Sequence, residues 1–308
     1  MDSKVKKKNI IIYSSIIVGT LSLGTISGIF IKRAFSQTKI DYSEFDPESY
    51  KANSKLLLEQ YNSNPQKEFT PDELVNIGLE KYRQFENSYF IGTGKASTIV
   101  EQTIRNALIK NGDNYFEESI SRSSMVPIAN RATQQGFNSG VNLYKGKAVS
   151  ADEGDYQDVE KIEYNLDDYK KDWGKTINEM FIYIISDRTV ISKNCSIKHR
   201  DDDLIQIELD LKPDIASYYY KIQMKSMSKL SGLPSFSSLK QTYIFDNEMV
   251  LKYSYVDEKY QASMGPISVN IHNMIHYYYH AGDFYKIPTL DEQIDYSLEG
   301  ESNYEYEN

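Results

Sequence analysis

Three histidines near the C-terminus, His272, His276 and His280, have the residue type and the spacing of a metal site. On a helix, side chains four residues apart lie about 6 Å apart on one face, close enough to share a zinc ion. The residues around them, however, alternate between β-branched or aromatic and polar types, which predicts a strand. On a strand, residues four apart are separated by about 13 Å. The prediction is therefore three separate histidines on the less apolar face of a strand, with no metal and no cofactor.

Two other short patterns resemble ligand sites but have simpler explanations. His199 and Asp201–Asp203 could bind a divalent cation, but consecutive acids beside a strand point in different directions and favour a solvated turn. Gly92 and Gly94 form a pattern too short for a phosphate-binding loop. Because they lie between strand patterns, they favour a bend or a bulge.

The sequence contains no pattern that predicts catalysis. Serines are numerous and four histidines are present, but no nucleophile motif such as G-x-S-x-G accompanies them. The runs Tyr218–Tyr220 and Tyr277–Tyr279 could form aromatic platforms for glycans or apolar ligands, or pack in the core. The single cysteine, Cys195, excludes an intramolecular disulfide and favours a buried, inert thiol. We therefore expect a non-catalytic protein without catalytic, cofactor-binding or metal-binding residues.

An uncharged run of 23 residues, from Asn9 to Ile31, precedes all these candidates and follows four lysines within residues 4–8. A helix of this length reaches roughly 33 Å, enough to cross a bilayer core of about 30 Å. The alternatives are a cleaved signal peptide, whose apolar stretch is usually shorter, and a buried helix of a soluble protein. The basic residues favour a single-pass protein of the cell membrane, with a cytoplasmic N-terminus and an extracytoplasmic C-terminal domain.

The predicted span contains small residues at a spacing of four, namely Thr20, Gly24 and Gly28. Such a face lets a second helix approach closely, which would allow a homodimer. The alternative is that small residues are simply common in spanning helices.

The charge of the chain excludes one class of partner. Residues 1–39 contain seven of the 35 basic residues and one of the 44 acids, so residues 40–308 carry a formal charge of −15. An acidic domain has no electrostatic attraction for nucleic acid. We therefore expect no nucleic-acid partner.

The first half of the remaining chain predicts one helix followed by strands. Thr70, Pro71 and Glu73 form a capping pattern at the start of a helix over 70–86. Strand patterns follow over 89–97, 99–109, 114–119 and 141–149, with a hairpin turn at 111–113. The segment 125–135 favours a short helix, and 152–172 favours an acidic loop.

The second half predicts more strands and one further helix. Strands are expected over 177–185, 189–199, 203–211, 239–245, 249–256 and 267–279, with turns at 186–188 and 246–247. A helix is expected over 213–230, with Ile215, Tyr218, Tyr219, Ile222 and Leu230 facing inward. This order of elements predicts an α+β fold, a long curved antiparallel sheet (open half-barrel) with helices packed on one face and one transmembrane helix before it.

The predicted organisation has five segments. They are a cytoplasmic basic segment (1–9), the transmembrane helix (10–31), a stalk or linker (32–69), an extracytoplasmic half-barrel-like domain (70–290) and an acidic tail (291–308).

Several short patterns carry a resemblance to known proteins. They are Leu209-x-Leu211-x-Pro213, Tyr220 with Met224, Leu233-Pro234-x-Phe236, the hairpin over 242–253 and Glu258-x-Tyr260. This arrangement resembles uncharacterised surface proteins of low-GC Gram-positive bacteria. The order of elements also resembles the periplasmic lipoprotein-carrier superfamily, an open half-barrel lined by apolar residues. The resemblance covers about residues 70–290 and implies a role in carrying or sensing an apolar molecule.

Three functions remain open from the sequence. The first is a membrane-anchored extracytoplasmic protein that binds an apolar or amphiphilic ligand, such as a lipid, or a partner at the cell surface. The second is a structural or interaction module whose concave face is filled by its own side chains. The third is a cell-wall-associated hydrolase, which requires a polar cleft with at least two carboxylates.

Overall fold

The structure, a computed structural model, describes residues 46–98, 100–123, 131–138, 142–148, 156–163, 183–227, 230–264 and 266–282. No helix within these ranges is both long and apolar enough to span a bilayer. The predicted transmembrane helix (10–31), its face of Thr20, Gly24 and Gly28, and the acidic tail (291–308) lie outside the described residues.

The described part of the chain forms a single antiparallel sheet of eleven strands. The strands lie in the order β6-β5-β4-β3-β2-β1-β11-β10-β9-β8-β7, so the first and last strands of the chain are neighbours at its centre. Their bounds are β1 (Asn87–Ser97), β2 (Glu101–Asn111), β3 (Asn114–Arg122), β4 (Arg131–Asn138), β5 (Asn142–Ala148), β6 (Tyr156–Glu163), β7 (Ser196–His199), β8 (Ile205–Asp210), β9 (Ser235–Phe245), β10 (Leu251–Met264) and β11 (Ile267–Ala281).

Four α-helices accompany the sheet in the described ranges, which confirms the α+β class. They are α1 (Ser54–Ser63), α2 (Pro71–Gln84), α3 (Pro213–Ala216) and α4 (Tyr218–Met227), with 3-10 turns at Pro47–Tyr50 and Ser192–Asn194. The predicted capping pattern is present at the start of α2, where the Thr70 amide donates to the Glu73 carboxylate at 2.9 Å. That contact satisfies an amide that the first turn of a helix leaves unpaired.

The described part of the segment expected to be a stalk packs on the domain. Helix α1 lies against α2, and Leu58 of α1 is buried. The Arg188 side chain donates to the carbonyl of Ser49 at 2.8 Å. These contacts make residues 46–63 part of the folded unit.

The two faces of the sheet differ in what covers them. Strand alternation places Ile271, Asn273 and Ile275 of β11 on one face, which we call the helix face. Helices α2 and α4 pack there, in two buried clusters that include Tyr82 and Tyr220. The opposite face carries the odd-numbered residues of β1 and β2 and the three histidines of β11, and we call it the histidine face.

Two segments in the middle of the chain correct the predictions. Residues 131–135 are part of β4, not of a helix, because they complete a ladder with β3. Residues 156–163, expected in an acidic loop, form β6 and pair with β5. Neither segment has a strong alternating pattern, so pairing with a neighbouring strand decides the conformation.

The second half shows three further differences. Residues 189–199 contain only the short strand β7, preceded by the 3-10 turn. The helix expected over 213–230 is divided at Ser217, whose hydroxyl donates to the Pro213 carbonyl. The buried apolar residues there are Ala216, Tyr220 and Met224, together with Leu230 as predicted. The other residues expected to face inward are only partly buried, namely Ile215, Tyr218, Tyr219 and Ile222.

The glycines of β1 are not at a bulge. The strand pairs with both β2 and β11 without a shift in register through Gly92 and Gly94. Instead, the Tyr277 ring packs on Gly92, where an added Cβ would lie 2.4 Å from a ring carbon. At Gly94 an added Cβ would lie 2.1 Å from the carbonyl oxygen of Met274. Both positions therefore require glycine because β11 approaches them too closely for a side chain.

Candidate functional site

The structure confirms that the three histidines lie on a strand, and it gives each a different partner. His272 Nε2 lies 2.8 Å from Asp257 Oδ1, and His276 Nδ1 lies 2.6 Å from the Tyr253 hydroxyl. His280 stacks on Tyr89 with ring centroids 4.5 Å apart. No group of three potential metal ligands occurs among the described residues.

A groove of about 370 Å³ opens on the histidine face across strands β3, β2, β1, β11 and β10. The strand register shows that two neighbouring rows of cross-strand pairs line it. One row is Arg122, Thr103, Lys95 and Met274, and the next is Ile120, Arg105, Thr93, His276 and Tyr255. This volume falls within the range of about 300–1,000 Å³ that is typical of small-molecule sites.

The charged side chains that line the groove beside His276 are all cationic, namely Lys95, Arg105 and Arg122. Three carboxylates lie close to these cations on the same face, and each has contacts within the protein. Glu118 of β3 is buried opposite Ala107, in the row next to that of Arg105. Glu101 pairs with Lys95 at 3.0 Å, and Asp257, in the row of Met274, faces His272. The two arginines also have interactions within the protein. The groove therefore presents cations beside the apolar side chains of its second row.

His276 contributes an uncharged wall to the groove. Burial disfavours the imidazolium and lowers the pKa of His276 below its usual value. In a neutral ring, Nδ1 can accept a hydrogen bond from the Tyr253 hydroxyl. Tyr255, the direct cross-strand neighbour of His276, packs against the same ring with centroids 4.7 Å apart. The positive charge of the groove at neutral pH consequently comes from its lysine and arginines.

A second constellation lies on the helix face, where Glu258 of β10 is buried beneath α4. Its carboxylate accepts hydrogen bonds from the Tyr183 hydroxyl at 2.5 Å and from Asn273 Nδ2 at 2.8 Å. The same amide nitrogen of Asn273 lies 3.1 Å from the Tyr260 hydroxyl. Tyr220 packs against Tyr183 with ring centroids 5.6 Å apart. One carboxyl group thus connects the sheet to the segment at Tyr183 and lies beneath helix α4.

The protonation of Glu258 is shifted by its surroundings. Burial raises the pKa of Glu258 to about 7, and the hydrogen bonds from Tyr183 and Asn273 offset only part of this shift. Burial, followed by the proximity of Glu258, raises the pKa values of Tyr183 and Tyr220 well above 10, so both hydroxyls remain protonated. The Tyr220 hydroxyl is buried without a hydrogen bond of ordinary geometry. Glu258, Asn273, Tyr220 and Tyr260 are each no more than 2% exposed, so the cluster is a polar centre of the core.

The remaining sequence candidates take structural positions. Residues 201–203 form a turn, as predicted, and Arg200 Nη2 pairs with Asp202 Oδ2 at 3.0 Å. Cys195 is partly buried, and burial raises the pKa of its thiol, which favours the unreactive protonated form. Tyr219 donates to Glu48, and Lys51 lies over its ring, so this tyrosine fixes the Pro47–Tyr50 turn to α4.

Sequence reasoning missed both constellations. Glu258 has a detectable signal, because it occupies the same side of β10 as Val256, Tyr260 and Ala262 and is the charged member of an apolar series. The groove has no comparable signal. Its residues come from five strands, and only the register places Arg105 beside Thr93 and His276.

Comparisons with known proteins do not assign the chain to a family. No protein-family model matches it, and no curated protein matches its sequence. One solved structure, of a candidate outer membrane protein from Bacteroides fragilis, has 10% sequence identity and a TM-score of 0.10. The match covers 65% of this chain and 98% of that one, but a score so low supports no argument about fold or function. The resemblance to Gram-positive surface proteins and to lipoprotein carriers therefore stays a prediction.

Proposed function

We propose that this protein is a non-catalytic binding protein of a membrane surface, and that the groove on the histidine face is its site for an amphiphilic ligand. The observation that carries the proposal is the composition of the groove. The first row offers Lys95, Arg122 and the Thr103 hydroxyl beside Met274, and the second row offers Ile120 and Tyr255 beside Arg105. A molecule with a polar end and an apolar end would contact complementary groups in both rows.

The remaining parts of the proposal come from the sequence. The predicted span at residues 10–31 would attach the chain to the cell membrane, with the sheet on the extracytoplasmic side as an open half-barrel. Such an anchor would hold the groove close to a supply of amphiphiles. The homodimer through Thr20, Gly24 and Gly28 belongs to the same proposal, and so does the absence of a nucleic-acid partner.

The helix face is a weaker candidate for the ligand because its own side chains occupy it. Tyr82, Tyr220 and Phe245 are each less than 2% exposed and lie between the helices and the sheet. This packing favours the second function, an interaction module with a filled core, if the groove proves empty. The hydrolase function has less support, because the described lining of the groove contains no carboxylate.

The proposal can be tested by labelling the full-length protein with a photoactivatable, lipid-like probe in a nonionic detergent. Peptide mapping by mass spectrometry should find adducts on β1, β3, β10 and β11 around the groove. Thr93→Phe places a ring in the groove and should reduce the labelling several-fold. Ser238→Phe adds the same ring to the histidine face of β9, outside the groove, and should leave the labelling unchanged.

Two results would contradict the proposal. Adducts that remain at wild-type level in Thr93→Phe would place the ligand elsewhere. Labelling that concentrates on α2 and α4 would transfer the site to the helix face.

A further inference from the structure

We propose that the groove recognises a phosphate group, held by Lys95, Arg105 and Arg122 around the hydroxyl of Thr103. This inference rests on the proposed function, which it deepens by naming the chemistry of the ligand's polar end. It depends on where the strand register places the three cations.

The register sets the cations around a single position. Lys95 of β1 and Arg122 of β3 are the direct cross-strand neighbours of Thr103, one on each side. Directly opposite residues have Cβ atoms about 5 Å apart. Arg105 lies two residues further along the same strand, about 7 Å away and on the same face. The three cations therefore surround Thr103 on three sides, and Glu101, which pairs with Lys95, lies on the fourth.

A phosphate group fits these three cations better than a single carboxylate does. It has several oxygens in a tetrahedral array, so three donors from different directions can each contact one of them. Guanidinium groups donate two parallel hydrogen bonds to phosphate oxygens, and lysine supplies a point charge. The hydroxyls of Thr103 and Thr93, in adjacent rows, add neutral donors.

The same side chains have protein partners, which a ligand would join or displace. Lys95 contacts Glu101 in an exposed pair, with both side chains more than half exposed. Solvent screens such an exposed pair, so it is weak enough for a phosphate to compete with it. Arg105 is exposed and therefore accessible from solvent.

The phosphate could belong to a lipid headgroup or to a free phosphorylated compound, and three probes distinguish these sources. The full-length protein in a nonionic detergent is titrated with a short-chain phosphatidic acid, with the diacylglycerol of the same chains, and with glycerol phosphate. We expect the phosphatidic acid to bind at least tenfold more tightly than either of the others. Its affinity should also fall as the salt concentration rises.

Variants test whether the cations cause that preference. Arg105→Gln and Arg122→Gln should each weaken phosphatidic acid binding about tenfold and leave diacylglycerol binding unchanged. Arg105→Lys keeps the charge but removes the paired donors of the guanidinium group, and it should give an intermediate loss of phosphatidic acid affinity. Lys240→Gln removes an exposed cation from the same face outside the groove and should have no effect.

Each result has a distinct meaning. Equal binding of phosphatidic acid and diacylglycerol, both blocked by Thr93→Phe, would overturn the phosphate inference while the proposed function stands. Glycerol phosphate that binds as tightly as phosphatidic acid would support the phosphate site but overturn the amphiphilic ligand. If neither lipid binds, both the inference and the proposed function fail.

Discussion

Strands β10 and β11 carry two titratable groups on opposite faces, one in the closed core beneath the helices and one beside the open groove. Glu258 faces the helices and is 1% exposed, whereas His276 faces the groove and is only partly buried. Burial shifts both groups toward their neutral forms, raising the pKa of the acid and lowering that of the base. Glu258 belongs to a closed core on the helix face, whereas His276 lies beside the cations of the groove on the histidine face.

This difference shows how one sheet can serve two purposes. Side chains on the helix face are enclosed by tyrosines and aliphatic residues, so their changes should appear mainly as changes in stability. On the histidine face, the side chains that line the open groove should affect mainly binding when they are changed. The same face also carries a buried cluster, formed by Tyr89, Ile91, Ala107, Ile109 and Phe116, whose changes should affect stability.

The largest expected effect is on the helix face. Tyr220→Ala removes a ring that is 0% exposed and leaves a cavity between α4 and the sheet, and should lower the free energy of unfolding by about 3–5 kcal/mol. Tyr255→Ala, in the groove, is the matched change and should cost about 1 kcal/mol or less. Denaturant unfolding followed by circular dichroism measures both. Equal losses in the two variants would remove the distinction between the faces.

The second effect concerns the pH dependence that Glu258 confers. Its pKa in the folded state, about 7, lies above the ordinary value of 4.5, so the folded protein holds the proton more strongly. This contribution to stability is complete below about pH 4.5 and is lost as the pH rises through 7. The loss is on the order of 3 kcal/mol.

Glu258→Gln tests this contribution because the amide keeps the shape without the charge. The variant should show a flatter stability curve than the wild type between pH 5 and 8 and should be the more stable protein at pH 8. Urea unfolding at a series of pH values gives the comparison. Parallel curves would mean that the carboxyl group ionises without cost in the folded protein.

The third effect is smaller and has the opposite sign. Because burial lowers the pKa of His276, the unfolded chain binds its proton more readily, and stability should fall as the pH drops below about 6.5. His276→Gln should remove this acid-side loss and change stability at pH 7 within about 1 kcal/mol. Nuclear magnetic resonance of the ring protons should show the depressed pKa directly. A pKa above 6.5 would contradict the burial argument.

The smallest effect on stability is expected from the cations of the groove. Arg105→Gln should change the unfolding free energy by no more than about 0.5 kcal/mol, because the side chain is exposed. Thermal unfolding monitored by circular dichroism would detect a larger change. A loss of several kcal/mol would show that Arg105 supports the fold. The binding test of Arg105 would then rest on Arg105→Lys, which keeps the charge.

Much of the fold could be predicted from the sequence where the local signals were strong. The capped helix after Thr70 and the hairpin at Gly112, which has a φ of 56°, both occur as predicted. Strand β8 follows its alternating apolar pattern. In these segments the local preference and the tertiary contacts agree, so the pattern alone is sufficient.

Prediction failed where the local signals were weak. Strand β4 contains few β-branched or aromatic residues, and those of β6 do not alternate. Both segments are strands because β3 and β5 offer them backbone partners. Helix α4 is rotated from its expected orientation, because the break at Ser217 shifts the buried positions to Tyr220 and Met224. A helical pattern cannot reveal such a break before the chain is folded.

The sequence by itself determined the α+β class, the strand that carries the histidines and their separation along it, because alternation and capping act between residues close in the chain. Only the tertiary structure decided which strands became neighbours. The pairing of β1 with β11 brought Thr93 beside His276, and the pairing of β1 with β2 brought it beside Arg105. The groove follows from contacts between distant segments, and no local pattern encodes it. For Glu258, the apolar series of β10 indicates a buried position, but only the tertiary structure supplies its partners.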